Sequence, residues 1–192
     1  MAKVVVKSKT KKIKKKFPVE FVAPEFLNSK SLGHSNVSDL NTLVGKTSKM
    51  NMMYISGNVK NQNVRLVFKV TEVNSGLAKT NVVEYSQIPY YLGRFVKSGS
   101  DLIEDSFVVT SKDGIDVRVK PFVVTKKNTS QMTISALRLA LRDLVAKEAA
   151  SKEYSEFISS VVFSKIQTTF RNEIKKIFPV KVLEFRKVNI EE

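Results

Sequence analysis

Few residues in this chain have the type and spacing to do chemistry. Gly45, Lys46 and Thr47 end like a phosphate-binding loop, but Leu40 stands where the first glycine is required. Both glycines are needed for the backbone amides to close around a phosphate, so the stretch reads as a turn leading into a strand. His34 is the sole histidine and the chain has no cysteine, so no clustered His or Cys metal site is possible. It reads as a polar loop residue, structural or RNA-contacting rather than catalytic. Asp101, Glu104 and Asp105 would suit general acid–base work only inside a cleft. They stand at the start of an exposed hairpin without a glycine-rich loop or metal-ligand spacing, and read as a solvated edge or as contacts for a basic neighbour. Sequons at Asn36 and Asn128 carry no meaning without a secretory signal. The lack of cysteine also removes disulfides, thiolate zinc sites and cysteine nucleophiles. No enzyme activity, cofactor or metal is expected.

What the chain has in excess is positive charge. Lys and Arg number 33 against 18 Asp and Glu over 192 residues, a net charge of +15 and a pI near 9.9. Summed charge of one sign acts on association, and this sign fits a polyanion. Its placement is uneven. Residues 1–16 hold eight lysines (Lys3, Lys7, Lys9, Lys11, Lys12, Lys14, Lys15 and Lys16) and no acid, which leaves 25 basic and 18 acidic residues, a net +7, over 17–192. A segment so self-repelling and poor in apolar residues is expected to be disordered alone and to order against phosphates. It has neither the apolar core of a signal peptide nor the Arg- and Ser-rich amphipathic pattern of a transit peptide, and no lipidation motif or long apolar run points to a membrane. Further along, Lys126 and Lys127 fall at a strand-to-helix junction, Arg138 and Arg142 make an i, i+4 pair, Lys165, Lys175 and Lys176 belong to a later helix, and Arg186 and Lys187 to the last strand. These are the candidate RNA-binding residues. Aromatics are sparse around them, so backbone and shape recognition is expected rather than base stacking.

The elements that must position these residues change character once along the chain. From 17 to 125, short β-branched runs with Gly and Asn punctuation and period-two alternation predict a β-rich, barrel-like body. The clearest hairpin spans Ile103–Val124 around Asp113 and Gly114, with Asp116, Arg118 and Lys120 alternating against Val117 and Val119. Val64–Val73 and Leu77–Tyr85 predict a second strand pair, and Ile88–Lys97 one short helix with Pro89 in its first turn. After Thr125 a helix capped by Thr129 or Ser130 carries Ile134, Leu137, Leu141, Leu144 and Val145 in one stripe. A second helix from about Glu153 carries Ile158, Val162, Ile166, Phe170, Ile174 and Ile177, and stops at Pro179. Val180–Ile190 returns to a strand pattern. The expected fold is α+β: a disordered tail over 1–16, then a single domain over 17–192, β-rich to 125 and then two helices and a closing strand over 126–192.

These residues carry a family likeness. The lysine tail running into Lys15, Lys16 and Phe17, then Ala23, Pro24, Glu25 and Phe26 with Lys30, Leu32 and Gly33, form the first matching stretches. Asp113 and Gly114 followed by Arg118, Val119, Pro121 and Thr125 form the next, before Thr129, Ser130 and Gln131. Val162, Phe163, Lys165 and Ile166 follow, and the run Lys175 to Pro179 ending in Arg186 and Lys187 closes the set. In order and spacing the chain resembles the S3Ae (eS1) family of archaeal and eukaryotic small-subunit ribosomal proteins over essentially its whole length. It differs in having Phe17 where the family usually has Trp, and in ending without the C-terminal extension of animal, plant and fungal members, which implies an archaeon or a reduced eukaryote. The resemblance implies a cytoplasmic, non-catalytic constituent of the small ribosomal subunit, bound to rRNA and neighbouring proteins on the platform near the mRNA exit, where mRNA is a further partner. It implies that the tail lysines thread between rRNA segments and that Lys175, Lys176, Arg186 and Lys187 lie at phosphates. The rival from another class is a free RNA-binding chaperone or translation regulator.

Overall fold

A computed structural model describes residues 16–74 and 76–191. The expected tail, Lys3 to Lys15, lies outside the described residues; Lys16 is described and exposed. Nine strands among the described residues belong to one sheet: β1 Phe17–Val22, β2 Ser31–Val37, β3 Thr47–Asn51, β4 Val64–Asn74, β5 Leu77–Gln87, β6 Leu102–Glu104, β7 Phe107–Thr110, β8 Asp116–Thr125 and β9 Val180–Ile190. The main path runs β2-β1-β5-β9-β8-β6, with β3 and β4 on the far edge of β5 and β7 beside β8. The sheet does not close, so the barrel-like body expected from the sequence is an open sheet. Its edges diverge because one edge of β5 is shared: β1 pairs with its start, Glu20 beside Leu77, and β9 with its end, Glu84 beside Asn189. All these pairings are antiparallel except β1 with β5.

The two expected strand pairs are present, each with its own refinement. β4 and β5 pair from Val64–Gln87 to Asn74–Leu77. In the second hairpin Gly114 takes φ +76°, a left-handed conformation open to glycine. The strand facing β8 is broken at Asp105 and Ser106 into β6 and β7, each pairing with a different half of β8. The Gly45 turn (φ +83°) leads into β3, as its sequence suggests. His34 sits in β2 opposite Glu20 and not in a loop.

The described residues also form five α-helices, α1 Met52–Ser56, α2 Pro89–Gly93, α3 Gln131–Ser151, α4 Tyr154–Val162 and α5 Lys165–Ile174, besides three short 3-10 turns. Ser130 caps α3 by accepting a hydrogen bond from the Thr133 amide. The second long helix of the sequence reading is two helices. The chain turns at Ser164, which takes φ +56°, and the Val161 carbonyl at the end of α4 accepts both the Ser164 amide and the buried Gln167 side-chain amide. The apolar stripe survives the break because Ile158, Val162, Ile166, Phe170 and Ile174 stay buried, whereas Ile177 emerges to 47% exposure.

The three later helices pack on one face, α3 against β7, α4 against β5 and α5 against β9. There Leu137, Leu141 and Val145 join Phe157, Phe170, Tyr85, Val119 and Phe185 in one core. On the opposite face Leu92 of α2 covers Phe122 and Val124. This is why β8 loses its alternation after Lys120: Pro121–Thr125 is buried on both sides.

Candidate nucleic-acid interface

The structure gathers four of the candidate lysines at one junction. β8 ends at Thr125, opposite the first residue of β9, Val180. The loop beyond is fastened to Asp101: the Thr125 amide donates to the Asp101 carbonyl (3.0 Å), the Thr125 hydroxyl accepts from the Asp101 amide (2.8 Å), and the Thr129 amide donates to the Asp101 carboxylate (2.6 Å). The Lys126 amide then donates to the Pro179 carbonyl at 3.0 Å. That bond sets Lys126 and Lys127 beside the end of α5, where Lys175 and Lys176 follow Ile174 and the chain turns through Pro179. All four side chains are exposed, and none pairs with an acid among the described residues. Lysines at a helix C-terminus also meet the negative end of its dipole. Lys97 joins this region because the Lys97–Ser100 turn leads directly into Asp101; the sequence reading left it out of the site, and only the long-range Asp101–Thr125 pairing reveals it.

Other candidates are placed differently. Arg142 makes a two-pronged ion pair with Asp105, at 2.6 and 2.8 Å, and its guanidinium lies 5.7 Å from the Phe107 ring centre. The Arg142 hydrogen bond, helped by the Ser106 amide, holds the Asp105 carboxyl below its usual range. Arg138, one turn earlier on α3, is half-buried and adds to the positive field on Asp105. Arg186 pairs with Glu104 at 3.3 Å and Lys187 with Glu84 at 3.0 Å. So two of the three acids at the hairpin start, Glu104 and Asp105, hold basic neighbours. Lys165 is exposed at the far end of α5 from Lys175.

A buried polar cluster lies near the end of β5. The Gln87 side-chain amide donates to the Tyr85 hydroxyl (3.0 Å) and to the Glu184 carboxylate (2.9 Å). Burial raises the Glu184 carboxyl above its ordinary value, against the lowering effects of Gln87 and Arg171. A surface groove of about 660 Å³ lies elsewhere, between the β1–β2 connection, the middle of β4 and β5, and α4. It carries Glu25, Glu72 and Glu156 against Lys79, the wrong balance for a phosphate. Among the described residues no three His, Asp or Glu side chains converge as a metal site, and no helix is long and apolar enough to cross a membrane.

An open α+β sheet with exposed, unpaired lysines at a strand–helix junction has the makings of a polyanion-binding protein. The sequence profile of the Ribosomal S3Ae family matches residues 5–192, and the chain belongs to that family, one of structural ribosomal proteins rather than enzymes. It is similar to the small ribosomal subunit protein eS1 of Archaeoglobus fulgidus, 29% identical over 171 residues that cover 88% of this chain and 81% of that protein. Similar too are the proteins of the same name from Halorubrum lacusprofundi, 27% identical over 96% of this chain and 85% of that one, and from Nanoarchaeum equitans, 26% identical over 93% and 90%.

Proposed function

We propose that this chain is a structural constituent of the small ribosomal subunit, in the cytoplasm, binding rRNA through its phosphate backbone and contacting neighbouring ribosomal proteins. The family match over nearly the whole chain carries the reading. The unpaired lysines of the junction supply the chemistry, since each lysine placed at a phosphate releases condensed counterions. Among the candidates, Lys126, Lys127, Lys175 and Lys176 with the lysines of residues 1–16 are the principal contacts. Lys165 and Arg138 are secondary ones. Arg142, Arg186 and Lys187 spend their charge on Asp105, Glu104 and Glu84, so they reach RNA only through hydrogen-bond donors left over from those pairs. The platform side near the mRNA exit is the location this reading adopts, with mRNA as a passing neighbour.

The log-log slope of RNA affinity against salt tests it, because each phosphate contact contributes roughly −0.7 to −0.9. Replacing the eight lysines of residues 1–16 with serine is expected to flatten that slope by several units. An unchanged slope would remove the tail from the interface. On sucrose gradients the protein is expected to stay with small subunits through a high-salt wash; release into the free fractions would favour a chaperone or regulator working off the ribosome.

A further inference from the structure

β5 has a gap on one edge. β1 pairs with it from Leu77 to Lys79 and β9 from Glu84 to Ser86, which leaves Thr80–Val83 without a strand on that side. The start of α4 enters the gap, where the Tyr154 hydroxyl donates to the Val82 carbonyl at 2.8 Å. The β1–β2 connection, with a 3-10 turn at Glu25–Leu27, makes a second wall. A third comes from β4, where the extra residue Thr71 shifts the register and sets Glu72 opposite Lys79. The groove of about 660 Å³ lies among these walls. Ligand clefts run from roughly 300 to 1,000 Å³, so it has room for a few residues of another chain and not for a folded domain.

The buried lining is apolar and the exposed rim is acidic. Ala23, Val82 and Ile158 are buried, with Pro24 and Phe26 half-buried. Two buried hydroxyls line the groove too, but each is already bonded to a carbonyl, Thr80 to Val22 and Tyr154 to Val82, both at 2.8 Å. The floor therefore offers an occupant apolar contact. Glu25, Glu72 and Glu156 are exposed around it, and none has an ion-pair partner among the described residues. Lys79 is the one base among the described lining residues. With that lysine counted against Glu72, two carboxylates are still left over, in a molecule whose net charge is +15. Such a rim repels a phosphate backbone and attracts lysine and arginine.

We propose that this groove seats a short basic arm of a neighbouring protein, with lysine or arginine side chains at Glu25, Glu72 and Glu156 and an intervening apolar side chain on the floor. The junction that offers lysines to RNA stands at the other end of β9: Val180 lies beside Thr125, whereas Asn189 lies beside Glu84, just past the gap. The eleven residues of β9, at about 3.3 Å each, put on the order of 30 Å between the two, so both can be occupied together. The proposal rests on the ribosomal reading above for the source of the arm, and on no RNA contact.

The chain has no tryptophan, so an introduced one reports on its own position. Ser155→Trp, exposed at the rim, is the reporter, and Leu139→Trp, exposed on α3 outside the groove, is its control. The probe is a nine-residue peptide alternating arginine with leucine, and a companion has serine in place of leucine. The leucine peptide is expected to shift the emission of Ser155→Trp, to leave that of Leu139→Trp unchanged, and to bind more tightly than its companion. Glu25→Gln with Glu156→Gln on the reporter chain should weaken binding about fivefold, the size of two exposed ion pairs together. Asp143→Asn with Glu173→Gln changes the net charge equally at exposed acids outside the groove and should leave binding unaltered. Equal weakening by both pairs, equal affinity for the two peptides, or a Ser155→Trp spectrum that the leucine peptide does not move would each overturn the proposal. So would a spectrum that shifts without peptide: on adding a short RNA hairpin, which gives the groove to RNA; on raising the protein concentration, which gives it to a second copy; or on changing the eight lysines of residues 1–16 to serine, which gives it to the chain's own N-terminal residues. RNA affinity and its salt slope, measured on the same chains, should match the parent's after the Glu25 and Glu156 changes, so failure of the groove and failure of the RNA-binding reading are separate results.

Discussion

Glu184 shows how one residue couples the fold to pH. Its carboxylate is mostly buried and accepts the Gln87 side-chain amide, and burial raises its pKa above the ordinary 4.5. A carboxyl raised in the folded state is favoured there in its protonated form. Its contribution to stability is therefore full below the unfolded pKa and is lost as pH rises through the higher folded value. Glu184→Gln keeps an acceptor for Gln87 without the charge, so its melting temperature should exceed that of the parent near pH 7, and the difference should shrink towards about pH 4. A pH-independent difference would show that desolvation of the charge is not the cause. Little of this is legible in the sequence, because Glu184 stands among Val182, Leu183, Phe185 and Arg186 and reads as an ordinary alternating polar position. The three acids at 101–105 were more legible. Their surroundings suggested contacts to basic neighbours, and Asp105 and Glu104 make them, but Arg142 and Arg186 come from 37 and 82 residues away, which no local pattern specifies.

At the scale of elements, periodicity located the helical stripes well and the breaks poorly. The stripe from Ile158 to Ile174 reads as one helix because a single left-handed residue shifts the phase too little to spoil it. Ser164, at φ +56° with an exposed side chain, distinguishes the two descriptions experimentally. In a continuous helix Ser164→Gly would cost about 0.5 kcal/mol or more. At a left-handed position glycine relieves strain, and the substitution is expected to stabilise by about 0.5–1 kcal/mol, read from denaturant melts. A loss of stability would argue for one helix. The barrel-like expectation missed for a related reason: alternation reports which face of a strand is buried, but not whether the last strand finds the first. Here β5 divides one edge between β1 and β9, and the helices, not closure, cover the apolar face.

For the whole molecule, the final strand matters most. β9 is paired with β5 on one side and β8 on the other, so the last eleven-residue strand joins two halves of the sheet that otherwise share no ladder. A chain ended at Pro179 should lose cooperative thermal unfolding and its near-ultraviolet circular dichroism; a sharp transition in that variant would contradict the central role of β9. Sequence alone determined the balance of charge, the lysine tail, the α+β order of elements and the absence of a convincing catalytic motif, because each is a property of composition or of neighbours along the chain. Only the tertiary structure decided which cations remain free. Ion pairs such as Arg142–Asp105, and the placing of the Lys126 and Lys175 runs together at one end of the sheet, depend on strand register between residues far apart in sequence. That register is set by which apolar faces the helices bury, a condition met by the folded chain as a whole and not by any segment of it.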